Sequence, residues 1–102
     1  MPTLHDNPET FFERGCSCKD LFSREDTVKI IEMLSSRGYQ LIGLDGGIFR
    51  DNGTFEMRID TVFSKPIVSS SEEAVRMNML GIASVAEDPI EINAYSITVH
   101  RR

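Results

Sequence analysis

The run "SREDTVKIIEMLSSRG", Ser23 to Gly38, carries a helix start, a helix body and a helix stop without interruption. Ser23 has a side-chain oxygen that can accept from the free N–H groups of a first turn. Glu25 and Asp26 place negative charge where the helix dipole is positive. Val28, Ile31 and Leu34 recur at helical spacing, and Ile30 widens their stripe. Arg37 falls in the last turn, and Gly38 suits the left-handed residue that ends many helices. The spacing predicts a helix over residues 24 to 37. Its single apolar stripe must be covered by another layer, so the remaining chain has to supply a surface.

That surface is expected to be a sheet. "YQLIGL" (39 to 44) and "IFR" (48 to 50) read as extended, and Asp51-Asn52-Gly53 as a turn, because Asn and Gly tolerate positive φ. "TFEMRIDTVF" then alternates. Phe55, Met57, Ile59, Thr61 and Phe63 are expected to face the helices, with Glu56, Arg58, Asp60 and Val62 on the solvated back. Gly46-Gly47 marks a bulge or bend in the first arm. Lys65-Pro66 ends the strand, and Ser70 with Glu73 has capping-box spacing for a second main helix. Val75, Met79, Ile82 and Ala86 form its stripe. Met77, Leu80 and Ala83 broaden it, as if two sides were covered, and Asp88-Pro89 stops it. "IEINAYSITVHR" is β-rich, and its phase change near Asn93-Ala94 suggests a bulge.

The chain is expected to form one α+β domain over residues 1–102, in which 1–22 is an N-terminal segment. In that segment Asn7, Pro8 and Gly15 outline a short helix, and "CSCKDLF" offers a first strand. With that strand the order becomes β-α-β-β-α-β. The predicted architecture is an antiparallel sheet of three to four strands with two main helices on one face, a ferredoxin-like split βαβ arrangement.

Charge narrows the function. There are 16 acidic and 11 basic residues, a formal net charge of -5. Holding nucleic acid by its phosphates needs a basic face, so direct nucleic-acid binding is not expected. The basic cluster His100-Arg101-Arg102 reads as a solvated tail. No apolar run approaches the roughly 18 residues of a membrane span, and the N-terminus lacks the pattern of a secretory signal. The expected location is the cytoplasm, with no membrane partner, and two cysteines fit a reducing compartment.

Those cysteines, Cys16 and Cys18 in "ERGCSCKD", are the one local hint of chemistry. On a strand, both sulfurs would point into the same layer as small buried side chains. A disulfide between them would close a strained ring. Tetrahedral zinc needs four ligands, and Cys16, Cys18, His5 and His100 are one set without local ligand spacing. The structural reading is preferred, with no cofactor expected. Asp45-Gly46-Gly47 lacks the Lys and helix start of a phosphate loop. Asp45 to Asp51 places Gly47 and Phe49 where a calcium loop needs oxygen ligands. Ser69-Ser70-Ser71 has no nucleophile-elbow context. No catalytic residue is assigned, and an enzyme is not the favoured reading.

Glu87, Asp88 and Glu91 break a local rule, since acids at a helix C-terminus oppose the dipole. Asp6, Glu9 and Glu13 form a second acidic group. Both are candidate partner-binding residues, because an acidic patch speeds encounter with a basic protein. The sequence therefore reads as a small acidic protein-binding module, an inhibitor that occupies a partner's basic, nucleic-acid-binding site. Bacterial or phage inhibitors such as anti-CRISPR, antitoxin and immunity proteins share this size and charge, though no motif ties the chain to them. A ligand-binding regulatory homodimer is one alternative, and a small enzyme or Cys/His metal protein is the other.

Overall fold

The computed structural model describes residues 3–102. In chain order it contains β1 (Leu4–His5), α1 (Pro8–Glu13), β2 (Leu21–Ser23), α2 (Arg24–Leu34) with a 3-10 turn at Ser35–Arg37, β3 (Tyr39–Phe49), β4 (Phe55–Ser64), α3 (Ser71–Glu87) and β5 (Ala94–Arg101). The helices begin where the capping residues stand. Asn7 accepts from the Glu9 N–H, Ser23 from the Asp26 N–H and Ser70 from the Glu73 N–H. The 3-10 turn ends at Gly38, which is left-handed (φ 82°). α1 ends in a Schellman motif. The Cys16 N–H donates to Phe11 O at 2.8 Å and the Gly15 N–H to Phe12 O at 3.1 Å. Gly15 and Cys16 both take positive φ, at 80° and 57°, which is the conformation such a stop demands.

The five strands form one sheet in the order β1-β2-β5-β3-β4. The expected alternation is present as β2-α2-β3-β4-α3-β5. Two expectations are corrected. Among the described residues there are five strands rather than three or four, and the sheet is mixed, because β1 pairs parallel to β2 while the other pairings are antiparallel. Two residues are too few for any periodicity to reveal β1. A ferredoxin-like arrangement is not confirmed by this pairing, in which β3 and β5 are the inner neighbours.

The core joins Phe11 of α1, Phe22 of β2, Ile30, Ile31 and Leu34 of α2, Val85 of α3, and Leu41, Leu44, Phe63, Tyr95 and Ile97 of the sheet. The Phe11 and Phe22 rings meet edge to face at 5.8 Å. Asn78, buried, does the same job with hydrogen bonds. It accepts from the Leu41 N–H (2.7 Å) and donates to Ser35 Oγ (2.9 Å) and Tyr39 O (3.3 Å), tying α3 to β3 and to the end of α2.

Four sequence expectations fail here for identifiable reasons. β4 does not alternate as one face. Asp45 pairs with Val62, yet Gly47 pairs with Met57, so Arg58 to Thr61 bulge out opposite Gly46 alone. The Thr61 hydroxyl lies 2.9 Å from Gly46 O and 2.8 Å from Arg58 O and ties the bulge down. Phe63 and Thr61 are buried, but Ile59 is 85% exposed at the bulge and Met57 is 53% exposed. Met57 shares the helix-free face with Asp45 and Val62, since the bulge reverses the alternation. The phase change before β5 has another cause. The strand starts only at Ala94, so Ile90 and Ile92 precede it in a turn, with Ile90 94% exposed and Ile92 buried. The cysteines lie in the loop between α1 and β2, not on a strand. The C-terminal cluster is not a loose tail either. His100 and Arg101 belong to β5, and Arg102 donates to Gly38 O, Val68 O and Ser69 O.

Candidate interaction surfaces

α3 shows the largest difference between expected and observed packing. Its buried residues are Ala74, Asn78, Gly81 and Val85, a row of mostly small side chains one position round from the predicted stripe. Gly81 sets this rotation, because a Cβ there would run into the Leu41 side chain. Small residues let the helix lie close on β3. The larger apolar residues are thereby turned out. Val75 is 42% exposed and Met79 64%, Ile82 is half-buried, and Ala83 and Ala86 face outward. Val75, Met79, Ile82 and Ala86 are spaced four, three and four apart, the seam of a helix prepared to pack on another. Val75 also borders a cavity of about 160 Å³ shared with Ser35, Gly38, Tyr39 and Ala74.

The acids at the end of α3 have a structural partner. Arg24, first residue of α2, lays its guanidinium across the α3 C-terminus. It donates to the carbonyls of Asp88 and Pro89 at 2.7 Å, to Ile92 O at 3.3 Å and to Val85 O. The cation that the dipole calls for is supplied by a neighbouring helix rather than by the local sequence. Asp88 is committed as well, since its carboxylate accepts from the Tyr95 hydroxyl at 2.6 Å. Burial first, and then Asp88, pushes that phenol above its ordinary range. Glu87 and Glu91 are exposed and carry no ion pair among the described residues.

The second acidic group does not join the first. Glu9 pairs with Arg37 at 2.7 Å, and Arg37 also sits 4.3 Å over the Phe12 ring. Arg24 and Arg37 mark opposite ends of the α2 segment, roughly 20 Å apart at 1.5 Å per residue. Asp6 and Glu13 are exposed near Glu9 in the chain. Glu9 therefore lies at the opposite end of α2 from Glu87, Asp88 and Glu91, whereas Asp6 directly follows His5, which pairs with Phe22 beside the start of α2.

His5, Cys16, Cys18 and His100 are likewise dispersed. His5 Nε2 lies 3.2 Å from Asp20 Oδ1, and Arg14 Nε donates to Asp20 Oδ2 at 2.9 Å. The Arg14 hydrogen bond leads in holding the buried Asp20 carboxyl below its usual range, and His5 adds to it. Cys16 is half-buried beside Tyr39, whose phenol it raises. Cys18 is exposed. His100 stands opposite Gln40 on β5, five residues along from Tyr95, whereas His5 lies opposite Phe22, the partner of Tyr95. Among the described residues no group of three or more His, Cys, Asp or Glu side chains is placed to hold a metal ion, and no helix is long and apolar enough to cross a membrane. No protein-family model matches the chain, and no curated protein matches it.

Few cations are left without a partner in the folded chain. Arg14, Lys29, Arg37, Arg50 and Arg58 stand in ion pairs, and Arg24 and Arg102 are spent on backbone carbonyls. That leaves Lys19, Lys65, Arg76 and Arg101 as the cations without such a partner among the described residues. Sequence reasoning saw the acids of this surface but not the outward stripe of α3. The residues of the stripe can be read from the sequence and their direction cannot, because periodicity fixes which residues share a face and not which face is covered.

Proposed function

We propose that this chain is a small protein-binding module whose partner presents a basic surface. The observation that carries the reading is the uneven use of charge. Most cations are held in the protein's own ion pairs or hydrogen bonds, while Glu13, Glu32, Glu72, Glu73, Glu87 and Glu91 remain exposed and, among the described residues, outside its ion pairs. Such a surface attracts a basic protein at a distance and repels nucleic acid. A partner of that charge is commonly one that itself holds nucleic acid, and a module of this size acts on it as an inhibitor by covering the groove. The setting that fits is the cytoplasm of a bacterial or phage-infected cell.

The test is capture from source-cell lysate on immobilised protein, elution in salt steps, and comparison with Glu87→Lys/Glu91→Lys. Asp88 is left unchanged because it holds Tyr95. Asp51→Lys/Asp60→Lys, in the turn before β4 and at the β4 bulge, is the control, since Glu56 is engaged by Arg50 and Arg58. A specific partner should elute earlier from the Glu87/Glu91 variant and at the same salt from the control. A partner whose retention ignores salt and both reversals would overturn electrostatic docking.

A further inference from the structure

Resting on that reading, we infer that the outward seam of α3 is the docking face, and that its occupant is an amphipathic helix of a partner protein with Lys or Arg beside its apolar row. The seam runs Glu72, Val75, Met79, Ile82, Ala86, with Ala83 alongside. Val75 and Met79 stand well exposed, Ile82 is half-buried, and the side facing the sheet is closed by Ala74, Asn78 and Gly81. The stability of the isolated chain does not require this arrangement, which leaves larger apolar groups in water and smaller ones in the core. A helix laid on the seam would bury them at heptad spacing. Where the seam passes Val75 it meets the cavity of about 160 Å³, room for one apolar anchor of the incoming helix.

The charges decide who the occupant is. The apolar row is closed by Glu72 and Glu73 at one end and by Glu87 and Glu91 at the other. Arg76 stands beside it and Arg102 lines the cavity at its Val75 end, and among the described residues none of Glu72, Glu73, Glu87, Glu91 and Arg76 is in an ion pair with another. A two-fold axis through Met79 would pack α3 on a second copy of itself. It would then bring Glu72 of one copy against Ala86 and Glu87 of the other, acid on acid at both ends. An anionic lipid surface meets the same repulsion. A helix with flanking Lys or Arg turns both acidic ends into attractive contacts.

The test uses the full chain and a designed probe, a Leu/Lys heptad peptide of about five helical turns, with a Leu/Glu peptide of the same pattern as its counterpart. Binding is read by fluorescence anisotropy and by the methyl resonances of 13C-labelled Met. The expected result is one Leu/Lys peptide per chain, displaced by salt, shifting the Met79 methyl and sparing Met57 on the opposite face of the sheet. Met79→Glu should weaken it about tenfold or more with an unchanged far-ultraviolet spectrum, and Met79→Lys should do the same. Absence of peptide binding overturns the proposal. So does equal binding of the Leu/Glu peptide, a shift at Met57, a dimer in sedimentation that Met79→Glu dissociates, or capture by phosphatidylcholine vesicles. Should Glu87→Lys weaken the Leu/Lys peptide while Met79→Glu does not, the α3 seam is wrong and acidic docking stands. The reverse pattern, with no salt dependence, refutes the basic partner and the electrostatic reading together.

Discussion

Replacing Arg24 by Ala should remove much of what holds α2 against α3. The guanidinium is shared among carbonyls at the α3 C-terminus and in the turn that follows, from Val85 through Ile92. A hydrogen bond from a charged donor contributes about 1.5–3 kcal/mol net, and a cation at a helix C-terminus about 0.3–1 kcal/mol. Water can reach the outer carbonyls once the side chain is gone, so the separate bonds do not sum. We expect a loss of about 2–3 kcal/mol for Arg24→Ala, which in a domain of this size lowers Tm by roughly 10–15 °C. Arg24→Lys keeps the charge but not the fork, and should lose about half as much. The assay is urea unfolding followed by far-ultraviolet circular dichroism, with unchanged m-values showing that both variants unfold from the same compact state. A second arm isolates the dipole. Glu87→Lys should be near neutral with Arg24 present and should recover about 0.5 kcal/mol in the Arg24→Ala background, because only there is the C-terminal cation missing. A loss below about 0.5 kcal/mol for Arg24→Ala, or no coupling between the two positions, would refute the reasoning and return the acids at this end to an unexplained feature.

Two further outcomes follow from the packing. Ile59→Ala should change stability by less than about 0.5 kcal/mol, whereas Ile31→Ala should cost about 2–5 kcal/mol; a large effect at Ile59 in the same urea titrations would place the β4 bulge in the core. Asp20 gives the protein an acid-sensitive contact. Its carboxyl titrates lower in the folded chain than in the unfolded one, so its contribution is complete above the unfolded carboxylate pKa of about 4 and is lost as pH falls through the folded value. Asp20→Asn should therefore flatten the decline in stability as pH falls below about 4, and an unchanged slope would mean that the bonds to Arg14 and His5 contribute nothing.

The helices and the longer strands were legible in the sequence because their signals are local. Ser23, Ser70 and Asn7 cap helices by bonds to residues two or three positions on, and Gly15 and Gly38 end them by φ angles that a glycine adopts freely. The Asp51-Asn52-Gly53 turn and the alternation of Tyr95, Ile97 and Val99 belong to the same kind of information. Only the tertiary structure decided what each face meets. Gly81 rotates α3 so that Ala74, Asn78 and Val85 go inward and Met79 goes out, a choice that depends on Leu41, far away in the chain. The bulge at Arg58 to Thr61 turns Met57 and Ile59 away from the helices through a pairing with Gly46 and Gly47. Arg24 answers the dipole of a helix that begins after residue 70. Each of these contacts joins residues distant in sequence, and neither periodicity nor propensity carries information about a neighbour that has yet to be brought alongside.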